Sequence, residues 1–529
     1  MSGGESGGSG RDGGTESSGG RVPLSGGVHG PAALRELVEL ALTAMEAGAE
    51  RRGGPIPAGE PEALARQFEG VFGYVWDGTE SGEKADEDAL LRLTELLAYG
   101  SADPADPSCA AHLHGPPLAV AVAADLAVSA LNPSLDSWDQ APAATALETA
   151  LIGELAELVG YRPESAAGVL TSGGTESNLM GLMLARDRVL GSGRSVELDG
   201  LPASARPRIF ASEAAHFSVQ RSAALLGLGE RAVVTVPVDR ELRMDPDRLA
   251  GALAAAVADG ATPIAVVATA GTTDTGGIDP LHEIADLAAE YGAWLHADAA
   301  YGGGALLSDR LAPLLDGIAR ADSVALDWHK LGWQPAAAGV FLVRRAQTYA
   351  SLARRAVYLN PADDEQAGYP SLLGRSLRTT RRADAFKVAV TLRTFGRRGL
   401  GRLVDTCHEL ACSAAAAVRA EPALDLHCEP ILSTVVFRYL PTCPVPPGPP
   451  ARAAGDRFAD RFADRFNAEL RRVLLREGRA VVGRTELPGA GPGRVRLKLT
   501  LLNPNTSVAE VAALLDTVVR TGKELERAI

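Results

Sequence analysis

Between about residue 165 and residue 345, short apolar runs alternate with longer stretches whose apolar positions fall three and four apart. The runs are PRIFAS from Pro207, RAVVTVPV from Arg231, PIAVVATA from Pro263, AWLHAD from Ala293, DSVALD from Asp322 and VFLVRR from Val340. Each is short and nearly continuous in its apolarity, as strands buried on both faces should be. DPDRLAGALAAAVADG and LHEIADLAAEYG, lying between them, carry the period of amphipathic helices. Strand, helix, strand in this order predicts an α/β fold, a mostly parallel sheet with helices on both faces. Ligands of such sheets sit beyond the carboxyl ends of the strands, so polar residues just past the apolar runs are the candidates for chemistry.

The flanks have other rhythms. Residues 1–30 are Gly/Ser-rich with almost no apolar side chains and predict a disordered tail. ALRELVELALTAMEA and DEDALLRLTELLAYG then read as helices, followed by the turn-rich DPADPSCAAHLHGPP. Beyond residue 400, a Pro-rich connector (LPTCPVPPGPP from Leu440) precedes a charged helix, the alternating strand RVRLKLTLLNP and a last helix. The expected division is a tail (1–30), an N-terminal helical segment (31–144), a large domain (145–400) and a small C-terminal α+β domain (401–529).

Composition narrows the partners. A net charge of -14 over 529 residues argues against a nucleic-acid surface, which needs clustered Lys and Arg. The most apolar stretch, LAVAVAADLAVSAL, is interrupted by Asp125 and too short to cross a bilayer. The polar N-terminus lacks the apolar segment of a secretion signal. Cys109, Cys407, Cys412, Cys428 and Cys443 show no CxxC and no zinc spacing, so reduced thiols in a cytoplasmic protein without a metal site are expected. The abundance of Ala, Arg, Gly and Pro suggests a bacterial gene.

Four motifs fall where chemistry is expected. In TSGGTESNLMGL, Gly174 and Thr175 open a helix whose free N–H groups and hydroxyl would seat a phosphate; the plainer reading is a capped helix. In HADAAYGGG, Asp298 ends an apolar run, where it would either keep a pyridine nitrogen protonated or serve as a cap. His216 stands between a strand and a helix, as a stacking ring or a structural histidine. In DWHK, Lys330 is either a surface lysine or an amine that bonds an aldehyde. Taken together on one α/β frame, these are the requirements of pyridoxal 5'-phosphate.

With AHLHGPP (111–117), SLDSWDQAPAATALE (134–148), YLNPADDEQAGYPSL (358–372), SLRTTRRADAFKVAVTLRTFG (376–396) and LKLTLLNP (497–504) added, the chain resembles the group II pyridoxal-phosphate-dependent amino-acid decarboxylases. The likeness is strongest to the bacterial L-2,4-diaminobutyrate decarboxylases and their siderophore-pathway relatives. It implies the aspartate-aminotransferase-like fold (fold type I) and α-decarboxylation of an L-amino acid. By the same resemblance Lys330 bonds the cofactor aldehyde, Asp298 pairs with the ring nitrogen and His216 stacks on the ring. Gly174 and Thr175 hold the phosphate, with Thr273, Ala300 and His329 at the cofactor. Tyr358 corresponds to a mobile-loop tyrosine that protonates the α-carbon. A homodimer with the site at its interface is implied as well, the N-terminal segment wrapping the other subunit.

Next to Lys330 the chain reads LGWQP, where diaminobutyrate-type members usually have an aromatic pair before QP, and Trp328 stands where Phe or Pro is common. The substrate therefore stays open between a diamino acid and an aromatic or apolar one. Alternatives are a decarboxylating aldehyde synthase or another lyase on the same frame, against which the retained Tyr358 weighs. A catalytically idle scaffold should have lost Lys330 or Asp298. A nucleotide-binding protein should show a GxxxxGK[ST] loop, which this chain lacks.

Overall fold

The structure, a computed structural model, describes residues 24–69, 71, 88–191, 195–353, 356, 358–442, 452–489 and 491–528. The tail as far as residue 23, Cys443 and most of the Pro-rich connector lie outside the described residues.

Seven strands build the large sheet: β1 (Ala167–Thr171), β2 (Pro207–Ser212), β3 (Val233–Val236), β4 (Thr262–Thr269), β5 (Trp294–Ala299), β6 (Ser323–Asp327) and β7 (Gly339–Val343). Their order is β1-β7-β6-β5-β4-β2-β3. The run from β6 to β3 is parallel, and β7 enters antiparallel between β6 and β1. Alternate residues serve opposite faces. Phe210, Val266 and Leu295 join the core on one side, whereas Ile209, Val267 and Trp294 join the core on the other. Burial on both faces is why these strands read as unbroken apolar runs. The sequence pattern does not mark β1. It is only five residues long and contains Gly168, where a Cβ would stand 2.6 Å from the Phe341 carbonyl oxygen.

The helices used below are α1 (Gly30–Arg52), α2 (Ala89–Gly100), α3 (Ala119–Leu131), α4 (Pro142–Leu158), α5 (Gly174–Leu190), α6 (Ser218–Leu225), α7 (Pro246–Ala258), α8 (Leu281–Glu290) and α9 (Ala385–Ala420). Local chemistry sets their ends. Asp245 accepts from the N–H groups of Asp247 and Arg248 while Pro246 occupies the first turn of α7, where its missing N–H costs nothing. The four-stranded second sheet has β8 (Leu424–Leu426), β9 (Thr434–Tyr439), β10 (Gly483–Glu486) and β11 (Val495–Thr500), in the order β10-β11-β9-β8. It packs with α10 (Arg452–Arg476) and α11 (Val508–Ala528) around a core of its own. Helix α9 serves both cores, Val388 and Leu400 in one and Leu410 and Val418 in the other, across a kink at Gly396 (φ 65°).

The turn from β1 into α5 is braced from below. Arg381 donates to both oxygens of Glu148 (2.7 and 2.9 Å), and both side chains are almost fully buried. Glu148 also accepts from the Leu170 N–H. Burial pushes the Glu148 carboxyl up, and Arg381 opposes that shift. Nearby, Arg378 donates to Glu176 and to the Leu170 carbonyl, while Glu176 accepts from the Ser172 N–H at 2.7 Å. The RTTRR segment thus fixes the end of β1 and the first turn of α5.

Candidate active site

The carboxyl ends of β1, β4, β5 and β6 converge on a cavity of about 480 Å³. Eight residues singled out in the sequence line it: Gly174, Thr175, His216, Thr273, Asp298, Ala300, His329 and Lys330. Tyr358 is not among them. It is 85% exposed and borders a separate hollow with Trp138 and Tyr369.

The start of α5 depends on glycine. Gly173 has φ 150° and ψ -178°, a region closed to side chains with a Cβ. A Cβ on Gly173 would meet the His329 ring at 3.2 Å, and one on Gly174 would meet Ala300 Cβ at 3.0 Å. The backbone can therefore press against the cavity with its N–H groups forward, as an anion seat requires.

The lysine next to the histidine is paired. Lys330 Nζ lies 3.1 Å from Asp327 Oδ2, and Asp327 is the last residue of β6, with its side chain only 3% exposed. His329 Nδ1 accepts from the Ala338 N–H, which leaves Nε2 toward Asp327 at 3.6 Å. Burial lowers the pKa of His329 and of His216, with Asp327 and Asp298 respectively opposing it, so both rings are kept neutral. Asp298 lies at the end of β5; its Oδ1 accepts from the Ala300 N–H and its Oδ2 from Asn178.

The small domain reaches the same cavity. Lys498 on β11 donates to the Thr273 carbonyl oxygen and to Asp274, and Tyr301 shares its hydroxyl with Ser433 and Thr434. These contacts fix the loop that carries Thr273.

Sequence reasoning passed over Asn178, Asp327, Thr269 and Tyr301, which also line the cavity. Asp327 carried a signal: a carboxylate three residues before a lysine. Asn178 carried a weaker one, standing one helical turn after Thr175. Conversely, Trp328 and Trp333 flank Lys330 in sequence but are buried in the large core, outside the cavity lining, with the Trp333 indole donating to the Leu502 carbonyl. Their departure from the family pattern therefore lies behind the cavity wall and not on its surface.

The cavity fits a pyridine aldehyde that carries a phosphate. Thr269 Oγ1 and Asp327 Oδ1 are buried polar atoms of the lining with no hydrogen-bond partner among the described residues, a costly state unless a ligand supplies one. A helix start, a lysine and a buried carboxylate are the kinds of group that such a molecule needs for its phosphate, its aldehyde and its ring nitrogen. Among the described residues, no group of His, Cys, Asp and Glu is placed to hold a metal ion.

The chain is similar to known proteins in sequence and in fold. The family model described as pyridoxal-dependent decarboxylase conserved domain matches residues 78–440. The chain is 43% identical over 420 residues to an L-2,4-diaminobutyrate decarboxylase of Rhizobium meliloti, covering 79% of each chain. To the enzyme of that name from Acinetobacter baumannii it is 39% identical, covering 84% of this chain and 85% of the other. Among solved structures, the glutamate decarboxylase domain of diaminobutyrate-pyruvate transaminase and L-2,4-diaminobutyrate decarboxylase from Vibrio parahaemolyticus superposes with TM-score 0.80 at 34% identity. That superposition covers 95% of this chain and 98% of that one.

Proposed function

The chain belongs to the pyridoxal-dependent decarboxylase family, a pyridoxal-phosphate enzyme that removes the α-carboxylate of an amino acid, and on that premise we propose that its substrate is a short L-diamino acid of the 2,4-diaminobutyrate type. The observation that carries the choice is the character of the cavity. Leu113 is its one large aliphatic side chain among the described lining residues, and Tyr301 spends its hydroxyl on Ser433 and Thr434. A substrate with an aromatic side chain would bury its ring against Ser, Thr, Asp and His. A second ammonium, by contrast, suits a polar site in which the carboxylate of Asp327 remains once Asp298 is committed to the ring nitrogen. The names of the relatives point the same way. The test is a panel of L-amino acids offered to the cofactor-loaded protein, with carbon dioxide and product amine measured. 2,4-Diaminobutyrate should have the highest kcat/KM, and preference for an aromatic acid would overturn the assignment.

Bound pyridoxal phosphate supplies an electron sink, its protonated ring accepting the electron pair left as carbon dioxide departs. Lys330 would provide the amine that holds the cofactor's aldehyde. Gly174 and Thr175 would seat the phosphate with His329 nearby, and Thr273 and Ala300 would border the cofactor. Asp298 would keep a proton on the ring nitrogen, and His216 would cover one ring face. Tyr358 returns a proton to the α-carbon.

Tyr358 can do so only from outside its own cavity wall, which a homodimer explains. Leu37, Leu42 and Met45 on α1, Leu90, Leu93 and Leu97 on α2, and Val122, Leu126 and Leu131 on α3 are exposed in the single chain, apolar surface that a second copy would cover. No helix among the described residues is long and apolar enough to cross a membrane, and the cytoplasm is the proposed compartment. Tyr358→Phe should lower amine output. Dissolved dioxygen would then take two electrons from the carbon that lost its carboxylate and become hydrogen peroxide, and hydrolysis by water would release aldehyde and ammonia. Co-expressed Lys330→Ala and Tyr358→Phe chains should regain part of the activity that each lacks alone, because one mixed site has both groups. A Tyr358→Phe enzyme that still makes only amine would remove Tyr358 from the mechanism.

A further inference from the structure

Behind the cavity wall runs a chain of hydrogen bonds that the proposed chemistry does not use. Asn178 Nδ2 donates to Asp298 Oδ2 at 2.7 Å and to Ser218 Oγ at 2.9 Å. Asn178 Oδ1 lies 2.9 Å from His296 Nε2, and His296 Nδ1 lies 2.8 Å from Ser323 Oγ. Ser323 Oγ also accepts from the Trp294 indole at 2.9 Å. On a second branch, Ser218 Oγ lies 2.9 Å from His216 Nδ1. Asn178, Ser218, His296, Ser323 and Trp294 are each no more than 1% exposed.

The polarity of this chain is fixed from both ends. A carboxylate only accepts and an indole N–H only donates. Asn178 must therefore turn its NH₂ toward Asp298 and Ser218, leaving Oδ1 to accept from His296. His296 then carries its proton on Nε2, and bare Nδ1 takes the Ser323 hydroxyl hydrogen while Ser323 takes the indole hydrogen. Burial pushes the His296 imidazole down to about 4, with the Asp298 charge opposing, so the ring stays neutral and keeps this tautomer. Ser218, accepting from Asn178, gives its own hydrogen to His216 Nδ1, which also accepts from the Ser218 N–H at 3.3 Å. His216 is thereby left with its proton on Nε2.

The frame makes room for this arrangement. A Cβ on Gly181, one turn beyond Asn178 on α5, would stand 2.6 Å from His296 Nδ1. Only glycine there lets the imidazole lie against the helix and reach the amide.

We propose that Asn178 is a positioning residue whose single amide sets both the Asp298 carboxylate offered to the cofactor's ring nitrogen and, through Ser218, the tilt and tautomer of His216 over the ring. The proposal rests on the pyridoxal-phosphate reading of the cavity and not on the identity of the substrate. An apolar residue of similar size, Asn178→Leu, would remove the donor to Asp298 and the donor to Ser218 together.

The experiment loads wild type, Asn178→Leu and Ser218→Ala with pyridoxal phosphate labelled with ¹⁵N in the ring. It records the ring-nitrogen NMR signal, the visible circular dichroism and the steady-state kinetics. Asn178→Leu should move the ¹⁵N signal toward the unprotonated position, weaken the dichroic band and lower kcat about 10- to 100-fold, the scale of a lost hydrogen bond to a charged group, with KM changed less than about threefold. Ser218→Ala should change the dichroism and leave the ¹⁵N signal in place. A wild-type ¹⁵N signal in Asn178→Leu would overturn the proposal, and so would an equal shift of that signal in Ser218→Ala. Should Asn178→Leu not fold, Gly181→Ala, which displaces His296 without touching the amide, must shift the same signal, and an unchanged signal there overturns it. The spectroscopic readouts need bound cofactor but no turnover, so a failure of the diamino-acid assignment would leave them intact.

Discussion

Lys330→Ala is expected to lose the visible absorption band of the cofactor-loaded protein and to lower amine formation roughly 10³-fold or more, the scale on which removing a covalent catalyst acts. The ammonium of Lys330 lies in a cavity whose other lining groups include one neutral histidine beside it and the carboxylate of Asp327 at 3.1 Å. No other lysine lines that cavity among the described residues, so no neighbour can take over the bond to an aldehyde. Phosphate contacts at the start of α5 would persist. The variant should therefore still bind pyridoxal phosphate, but releasably on gel filtration and with the spectrum of the free aldehyde. A band retained in Lys330→Ala would place the amine elsewhere and undo the site.

The same substitution strands Asp327, whose side chain is 3% exposed, without its cation. Breaking a buried pair on one side costs about 3–5 kcal/mol, an upper figure here because Lys330 is itself 19% exposed. Adding Asp327→Asn should recover much of the lost melting temperature but none of the absorption band. That split separates the structural use of the lysine's charge from the chemical use of its nitrogen.

Much of this was legible from patterning, and the gaps have physical reasons. Six of the seven strands of the large sheet correspond to apolar runs of four to eight residues, because a strand covered on both faces has no polar side to interrupt it. β1 escapes notice because its small residues make room for Phe341 and Leu342 rather than filling space themselves. Gly174, Asp298 and Lys330 could be found because each is out of place, a helix start or a charge at the end of an apolar run. Asn178 carried only the weak mark of its helical spacing from Thr175, since a polar residue on a helix looks solvent-exposed in sequence; its burial follows from where His296 and Asp298 end up in three dimensions. Trp333 shows the converse. It stands three residues from Lys330, yet φ 51° at its own position carries the chain away and its indole goes into the core. Tyr358 has no physical signature in the sequence and was marked by family resemblance alone.

Asp298→Asn separates what Lys330→Ala confounds, because it should leave the absorption band in place while removing most of the turnover. Lys330 and the phosphate seat would still hold the cofactor. What disappears is the negative charge facing the ring nitrogen. A carboxylate ~4 Å from a pyridinium, at an effective dielectric of ~20, is worth about 4 kcal/mol, or roughly three pKa units of the ring nitrogen. A ring held protonated by that margin would be largely neutral at pH 7 without it, and a neutral pyridine is a poor acceptor for the electron pair released with carbon dioxide. The expected loss in kcat is about 10³-fold, with cofactor affinity and substrate KM changed far less. Asn at 298 would also place an amide where Asn178 expects an acceptor-only partner, and either amide could then turn. The loss should therefore exceed that of Asn178→Leu, which keeps the charge and disturbs only its aim. Equal or larger damage from Asn178→Leu would mean that geometry, and not the anion, governs the ring nitrogen.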